Sequence, residues 1–315
     1  MKKETYSNKL TGFLLVVLIK INYWLPQRLS YGLSLIFSKI GFYLNSKTSK
    51  TISENINLCF PQLDESQQQN LICQYLKQNA RMSGETSIAW LGTKEEINYL
   101  LNNISEQPLI EVKKNKSQAV IIAVPHIGNW EFFWHWLQLN HSAISMYSPA
   151  KYRQIDQLML KARSQFGGNP YSTDKKGMLN ILKGLKQGEI MMILPDQAPS
   201  LGTGIYSPFF GHSTYTMTLL HRLVQKTNAQ LLFGTCLRNE NNQFDINIFE
   251  SDFDSQIKDI EQFNQCLNKQ IKQLVSTTPE QYLWNYKRFK RQPSGQEIYT
   301  SDRLRREKYD KRQKT

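Results

Sequence analysis

The chain has 315 residues, 40% hydrophobic and 21% charged, which is enough apolar material for a buried core and excludes a wholly disordered polymer. A mean hydropathy of -0.49 excludes a polytopic membrane protein. The net charge of +13 belongs to the ends: residues 1–50 hold eight basic and one acidic side chain, residues 287–315 hold eleven and four, and the middle is near neutral, so nucleic acid, an anionic bilayer or an anionic substrate each fit.

Residues 10–19 read LTGFLLVVLI; Lys20 interrupts the run, and Pro26 ends it after Trp24 and Leu25. At about 16 residues it is short for a span, which needs about 20. The stretch 23–26 offers no small-residue cleavage site for a signal peptide. A second apolar segment covers residues 29–44. A spanning helix, a helix lying in the bilayer interface and two ordinary core helices all fit. Lys2, Lys3 and Lys9 favour an anchor that keeps the body cytoplasmic. The expectation is an N-terminal membrane-anchoring helix in residues 1–45, a catalytic domain over 46–294 and a solvated basic tail over 295–315.

Residues 51–60 stop at Pro61, and residues 64–90 follow as a helix capped by Asp64 or Ser66, with Leu71, Ile72, Tyr75, Leu76 and Met82 on its apolar face. Residues 94–102 form a short amphipathic stretch. AVIIAV at 119–124 reads as a buried strand, residues 125–129 as a turn and residues 130–139 as a helix. Further strands are expected at 143–147, 190–194, 231–237 and 244–249. Helices are expected at 155–165, 176–186 with Gly188 as C-cap, 215–227 and 263–274. A Gly/Ser/Pro-rich loop spans 200–208. The alternation predicts an α/β fold, a mixed central sheet with helices on both faces.

His126 ends the first buried strand, where ligands bind in open α/β sheets, and Glu131 opens the helix beyond it. A carboxylate folded back onto the imidazole fixes its tautomer and leaves a nitrogen free as general base. GxSxG is absent, so direct attack by a substrate hydroxyl fits better than an acyl-serine. A capped turn with a purely structural His–Glu contact is the alternative. A metal held by His126, Glu131 and His135 matches no zinc spacing. Asp196 follows the second buried strand and needs a partner; Arg163 is the candidate, in an ion pair that can be structural. Trp130, Phe132, Phe133, Trp134 and Trp136 exceed one amphipathic face, and line a hydrocarbon tunnel, touch lipid or pack the core. Lys287, Arg288, Lys290 and Arg291 form a basic cluster suited to phosphate. Cys59, Cys73, Cys236 and Cys266 form no CxxC pair and read as reduced, buried thiols.

Pro125-His126-Ile127-Gly128-Asn129-Trp130-Glu131 resembles the HxxxxD/E motif of the late acyltransferases of lipid A biosynthesis, the lauroyl/myristoyl type. Residues 57–61, Asp196-Gln197, 204–211 and 282–293 resemble further motifs of that family in the same order, and Glu85 falls near another of its acidic positions. The resemblance implies a glycerolipid-acyltransferase-like fold and an enzyme of the bacterial inner membrane with its site facing the cytoplasm. It implies transfer of an acyl chain from acyl carrier protein, with no cofactor, to a 3-hydroxyacyl hydroxyl on a Kdo-lipid A precursor. His126 would be the base, Glu131 its orienting residue, and Arg163 and Asp196 supporting residues. Asn129, Trp130, Lys287, Arg288 and Lys290 would contact substrate, backbone amides around 128–130 would meet the oxyanion, and anionic lipids would attract the basic ends. The chain departs from the family at Tyr147-Ser148-Pro149, where YRP is frequent, and at Lys287, where arginine is usual. Rival readings are the same chemistry on a glycerophospholipid, or a non-enzymatic basic protein binding membrane or nucleic acid; no nucleic-acid-binding signature is present.

Overall fold

The computed structural model describes residues 6–44 and 46–303. Five helices come first: α1 (Tyr6–Trp24), α2 (Gln27–Tyr43), α3 (Lys47–Cys59), α4 (Glu65–Leu91) and α5 (Lys94–Leu100). Then come β1 (Leu101–Ser105), α6 (Gln107–Lys113), β2 (Val120–Ala123), α7 (Trp130–Asn140), β3 (Ala143–Tyr147), α8 (Arg153–Ser164), β4 (Asn169–Ser172), α9 (Lys175–Lys186) and β5 (Ile190–Ile193). The chain continues through β6 (Gly204–Phe209), β7 (His212–Met217), α10 (Leu219–Thr227), β8 (Gln230–Arg238), β9 (Phe244–Glu250), α11 (Ile260–Thr277) and a 3-10 turn (Pro279–Gln281).

Seven strands form one sheet in the order β1-β9-β8-β2-β5-β3-β4. Only β8 and β9 pair antiparallel, so the sheet is mixed, as the polar turn between them predicted. Alternate residues of the central strands feed opposite layers. Ile121, Ala123, Met191, Ile193 and Leu231 face one apolar cluster; Val120, Ile122, Met192 and Leu232 face the other, together with Phe132, Phe133, Trp134 and Trp136 of α7. These four aromatic side chains are buried in the core. The parallel register places Ala123 beside Ile193. The loops after β2 and β5 therefore leave the same edge of the sheet side by side, although seventy positions separate them in sequence.

The N-terminal expectation is corrected. Among the described residues, no helix is long and apolar enough to cross a membrane. The two apolar segments are built onto the body: α2 lies along α4, and α1 packs on α4 and α8. The Asn22 side-chain amide donates to the Ser83 carbonyl at 3.0 Å, Ser30 Oγ donates to Asn22 Oδ1 at 2.6 Å, and the Tyr23 hydroxyl donates to Glu96 at 2.8 Å. Lys20 breaks the apolar run of α1 and its length is short for a span, while α4 meets one face of each helix and leaves Phe13, Leu14, Leu18, Ile36 and Phe37 exposed. Lys2 and Lys3 lie outside the described residues.

Other differences cluster at edges. β1 (LNNIS) and β4 (NPYS) are outermost strands with too few apolar residues to read as strands. The segment 204–217 is a hairpin of β6 and β7 turning at Phe210-Gly211, both with positive φ, so the expected helix from residue 215 starts at Leu219 instead. Asp64, rather than Ser66, caps α4, in a reciprocal pair with Gln67. The expected tail begins docked: Tyr299 is buried, and its hydroxyl donates to Asn55 Oδ1 at 2.6 Å. Residues 304–315 lie outside the described residues.

Candidate active site

The loop after β2 is fixed before any side chain contributes. The Asn129 amide donates to the Cys236 carbonyl at 2.7 Å and the Gly128 amide to the Gln281 carbonyl at 3.0 Å. The Leu283 amide donates to the His126 carbonyl at 3.1 Å, so the closing segment straps the loop from the other side. Gly128 has φ +63°, and a Cβ there would sit 2.0 Å from the Cys236 carbonyl oxygen, so only glycine fits. The Asn129 side chain caps α7 by accepting from the Phe132 amide, and its own amide donates to Glu85 at 3.2 Å. Glu85 is in turn held by Arg238, at the end of β8.

This frame brings His126 to Asp196. The imidazole Nδ1 lies 2.7 Å from Asp196 Oδ1, and the His126 backbone amide donates to Asp196 Oδ2 at 3.0 Å. A carboxylate accepts and does not donate, so Nδ1 carries the ring proton and Nε2 keeps its lone pair. Burial alone would raise the Asp196 carboxyl; the His126 charge and the two donors hold it below the ordinary aspartate value. The His126 side chain is 12% exposed against 2% for Asp196, so the ring reaches solvent and its support does not. Trp130 meets the imidazole edge-on at 4.8 Å, and Gln197 Nε2 lies 3.1 Å from His126 Nε2.

The structure corrects the expected partners of both carboxylates. Glu131 does not touch His126. It projects from the first turn of α7 toward α8, where Arg163 Nε donates to Oε2 at 3.1 Å and the Arg163 Nη2 atom bonds Oε1. Arg163 therefore pairs with Glu131, and Asp196 with His126. Burial would raise the Glu131 carboxyl, but Arg163 keeps it below its usual range. One turn on, burial pushes His135 down to about 4. The Trp134 indole donates to the Arg163 carbonyl at 2.9 Å, which completes a clamp between α7 and α8.

The basic cluster divides in the same way. Arg288 is buried, donating to the Tyr215 carbonyl at 2.8 Å and to Thr216 Oγ1 at 2.9 Å. It ties the closing segment to the β6–β7 hairpin and presents no guanidinium to a substrate phosphate. Lys287 donates to Asp302 at 2.6 Å, and Lys290 is exposed above the Tyr286 ring. The amides of Gly128 and Asn129, candidates for the oxyanion, are already taken by carbonyls; Trp130, as the first residue of α7, has no intrahelical acceptor for its own. Among the described residues, no group of three His, Cys, Asp or Glu side chains is arranged to hold a metal. Residues that sequence reasoning missed are Gln197 as a contact of His126 and Arg238 as the anchor of Glu85. The first was visible only as a neighbour of Asp196, and the second carried no signal beyond its strand-end position.

Residues 2–291 match the family described as bacterial lipid A biosynthesis acyltransferase. The chain belongs to that family. It is 22% identical over 273 residues to a lipid A biosynthesis lauroyltransferase of Escherichia coli K12, covering 86% of this chain and 88% of that protein. It is 24% identical over 307 residues to a lipid A biosynthesis acyltransferase of Haemophilus influenzae, covering 95% and 92%. A lipid A biosynthesis palmitoleoyltransferase of Escherichia coli K12 is 24% identical over 246 residues, covering 77% and 79%. The motifs that carry this membership meet in space: Phe60 packs edge-on against both Phe210 and Trp284, at 5.3 and 5.7 Å. The protein is thus an acyltransferase of lipid A-related biosynthesis, built around a strapped strand-end histidine.

Proposed function

We propose that the protein transfers a fatty acyl chain of the lauroyl or myristoyl class from acyl carrier protein to the hydroxyl of a 3-hydroxyacyl chain on a Kdo-bearing lipid A precursor. The observation that carries the reading is the His126–Asp196 pair, with a tautomer that leaves Nε2 free to accept a proton. The acceptor hydroxyl gives its proton to Nε2 as its oxygen attacks the thioester carbon. The tetrahedral intermediate collapses, the C–S bond breaks, and the imidazolium returns the proton to the thiolate. Asp196 stabilises that imidazolium without itself taking the proton, because its second oxygen is bound to the backbone amide.

The reaction needs no metal and no bound cofactor; the donor is a co-substrate. We place it at the cytoplasmic face of the inner membrane, where a carrier-borne acyl chain and an anionic glycolipid meet, with exposed Lys290 and the basic ends favouring anionic headgroups. Relatives named for lauroyl and for palmitoleoyl transfer both resemble this chain over most of its length, which supports an acyl length set by apolar walls rather than by the base. Each additional buried CH₂ is worth about 0.8 kcal/mol.

The test incubates purified protein with lauroyl- or myristoyl-loaded acyl carrier protein and a Kdo-bearing tetra-acyl precursor, then weighs the lipid by mass spectrometry. A gain of one acyl group, lost in His126→Ala, is the expected result. A gain seen only with a glycerophospholipid acceptor would replace the acceptor and keep the chemistry. No gain with any acceptor would overturn the reading.

A further inference from the structure

We propose that Gln197 is a movable cap on the catalytic base. In the free enzyme its carboxamide occupies the Nε2 position of His126; the acceptor hydroxyl displaces it, and the freed amide then donates to the thioester oxygen as negative charge develops there. This rests on the reading of His126 as the base.

Three observations carry it. Asp196 fixes the proton on Nδ1, so Nε2 is an acceptor, and the Gln197 group 3.1 Å away must be the NH₂ end of its amide. One lone pair takes one good donor. The acceptor hydroxyl has to come within about 2.8 Å of the same nitrogen to lose its proton, so hydroxyl and cap exclude each other. Secondly, Gln197 is free to move where Asp196 is not. Its carboxamide has no other hydrogen-bond partner among the described residues, and the side chain is only half-buried. Asp196, one residue earlier, is buried and held at both oxygens.

Thirdly, the site is short of donors. The Gly128 and Asn129 amides, which a loop of this kind would otherwise aim at an oxyanion, are bound to the Gln281 and Cys236 carbonyls. The tetrahedral oxygen forms next to the attacking oxygen, hence within a few ångströms of Nε2, inside the swing of a side chain that has just left it. A carboxamide is a known type of oxyanion donor. The same cap keeps water off the base until an acceptor arrives, which suppresses hydrolysis of the thioester.

Gln197→Ala and the isosteric Gln197→Glu, which lacks the donor, test this in steady-state transfer with both substrates varied. Loss of one oxyanion donor predicts a kcat about 10²–10³-fold lower for each variant. The acceptor KM of Gln197→Ala should stay level or fall, since nothing then competes for Nε2. An ordinary packing or substrate-contact role would instead raise the acceptor KM or lower the melting temperature. A kcat within about 3-fold of wild type in Gln197→Ala, or a raised acceptor KM with kcat intact, overturns the cap. If Gln197→Ala misfolds, Gln197→Glu decides by the same kcat criterion. His126→Ala runs alongside: wild-type turnover in that variant would remove the base assignment itself, whereas an inactive His126→Ala with a fully active Gln197→Ala removes the cap alone.

Discussion

Asp196 and Glu131 are both buried carboxylates close to the start of α7, yet one holds a histidine and the other an arginine, with 12% and 20% of the partner side chain exposed. Asp196 leaves its partner with a lone pair pointing outward. Glu131 and Arg163 satisfy each other, and the Trp134 indole closes the group over the Arg163 carbonyl. The first pair can exchange a proton with something that arrives. The second can only keep two helices together. Burial and exposure do not separate the two; the chemistry of the partner does, an imidazole with a lone pair to offer against a guanidinium that has none.

The widest separation should come from the first pair. His126→Ala is expected to lower turnover by about 10²–10⁴-fold, the range for loss of general base catalysis, with an unchanged circular dichroism spectrum. Asp196→Asn should approach the same loss, because an amide can present its NH₂ to Nδ1 and stabilise the wrong tautomer. A rate within about tenfold of wild type in that variant would move the orienting role elsewhere. The second pair should answer in stability. Glu131→Gln removes the countercharge of the mostly buried Arg163, a loss of up to roughly 3–5 kcal/mol, measurable by urea denaturation. Replacing both, as Glu131→Gln with Arg163→Met, should recover much of that loss. A double variant no more stable than the single would mean the pair is not a self-contained clamp.

His135 sharpens the contrast through pH. Its folded value of about 4 lies below the ordinary 6.5, so the unfolded chain takes up the proton first. Stability from this group is complete above pH 6.5 and is lost as pH falls toward 4, by about 3 kcal/mol in all. His135→Gln should flatten the urea midpoint across that window. Glu131, depressed from 4.5 by Arg163 against its burial, adds a loss only at lower pH. An unchanged slope in His135→Gln would show that other groups set the mild-acid response.

Much of this was legible in the sequence. Short β-branched runs at 119–124 and 190–194 marked the central strands, and the strand–loop–helix junction at 125–131 marked the site. What stayed hidden was pairing at a distance. Glu131 is five residues from His126 and points away, because the first turn of α7 carries it to the α8 side. Asp196 is seventy residues away and adjacent, because β5 runs parallel beside β2. Arg288 read as a surface cation among three others, and only the hairpin folded over it shows that it is interior. The helix packing of α1 and α2 was hidden because α4, which meets one face of each, lies tens of residues ahead, while Phe13, Leu14, Leu18, Ile36 and Phe37 stay exposed.

The strap over the catalytic loop has a consequence for biogenesis. The carbonyl that receives the Gly128 amide belongs to Gln281, and the amide that holds the His126 carbonyl belongs to Leu283. A nascent chain that has released only the first 250 residues from the ribosome already owns every strand of the sheet, His126 and Asp196. It lacks the two atoms that lock the loop between them. Competence is therefore conferred last, by the segment translated after α11, which also brings Tyr282, Trp284 and Phe289 into the core under the sheet.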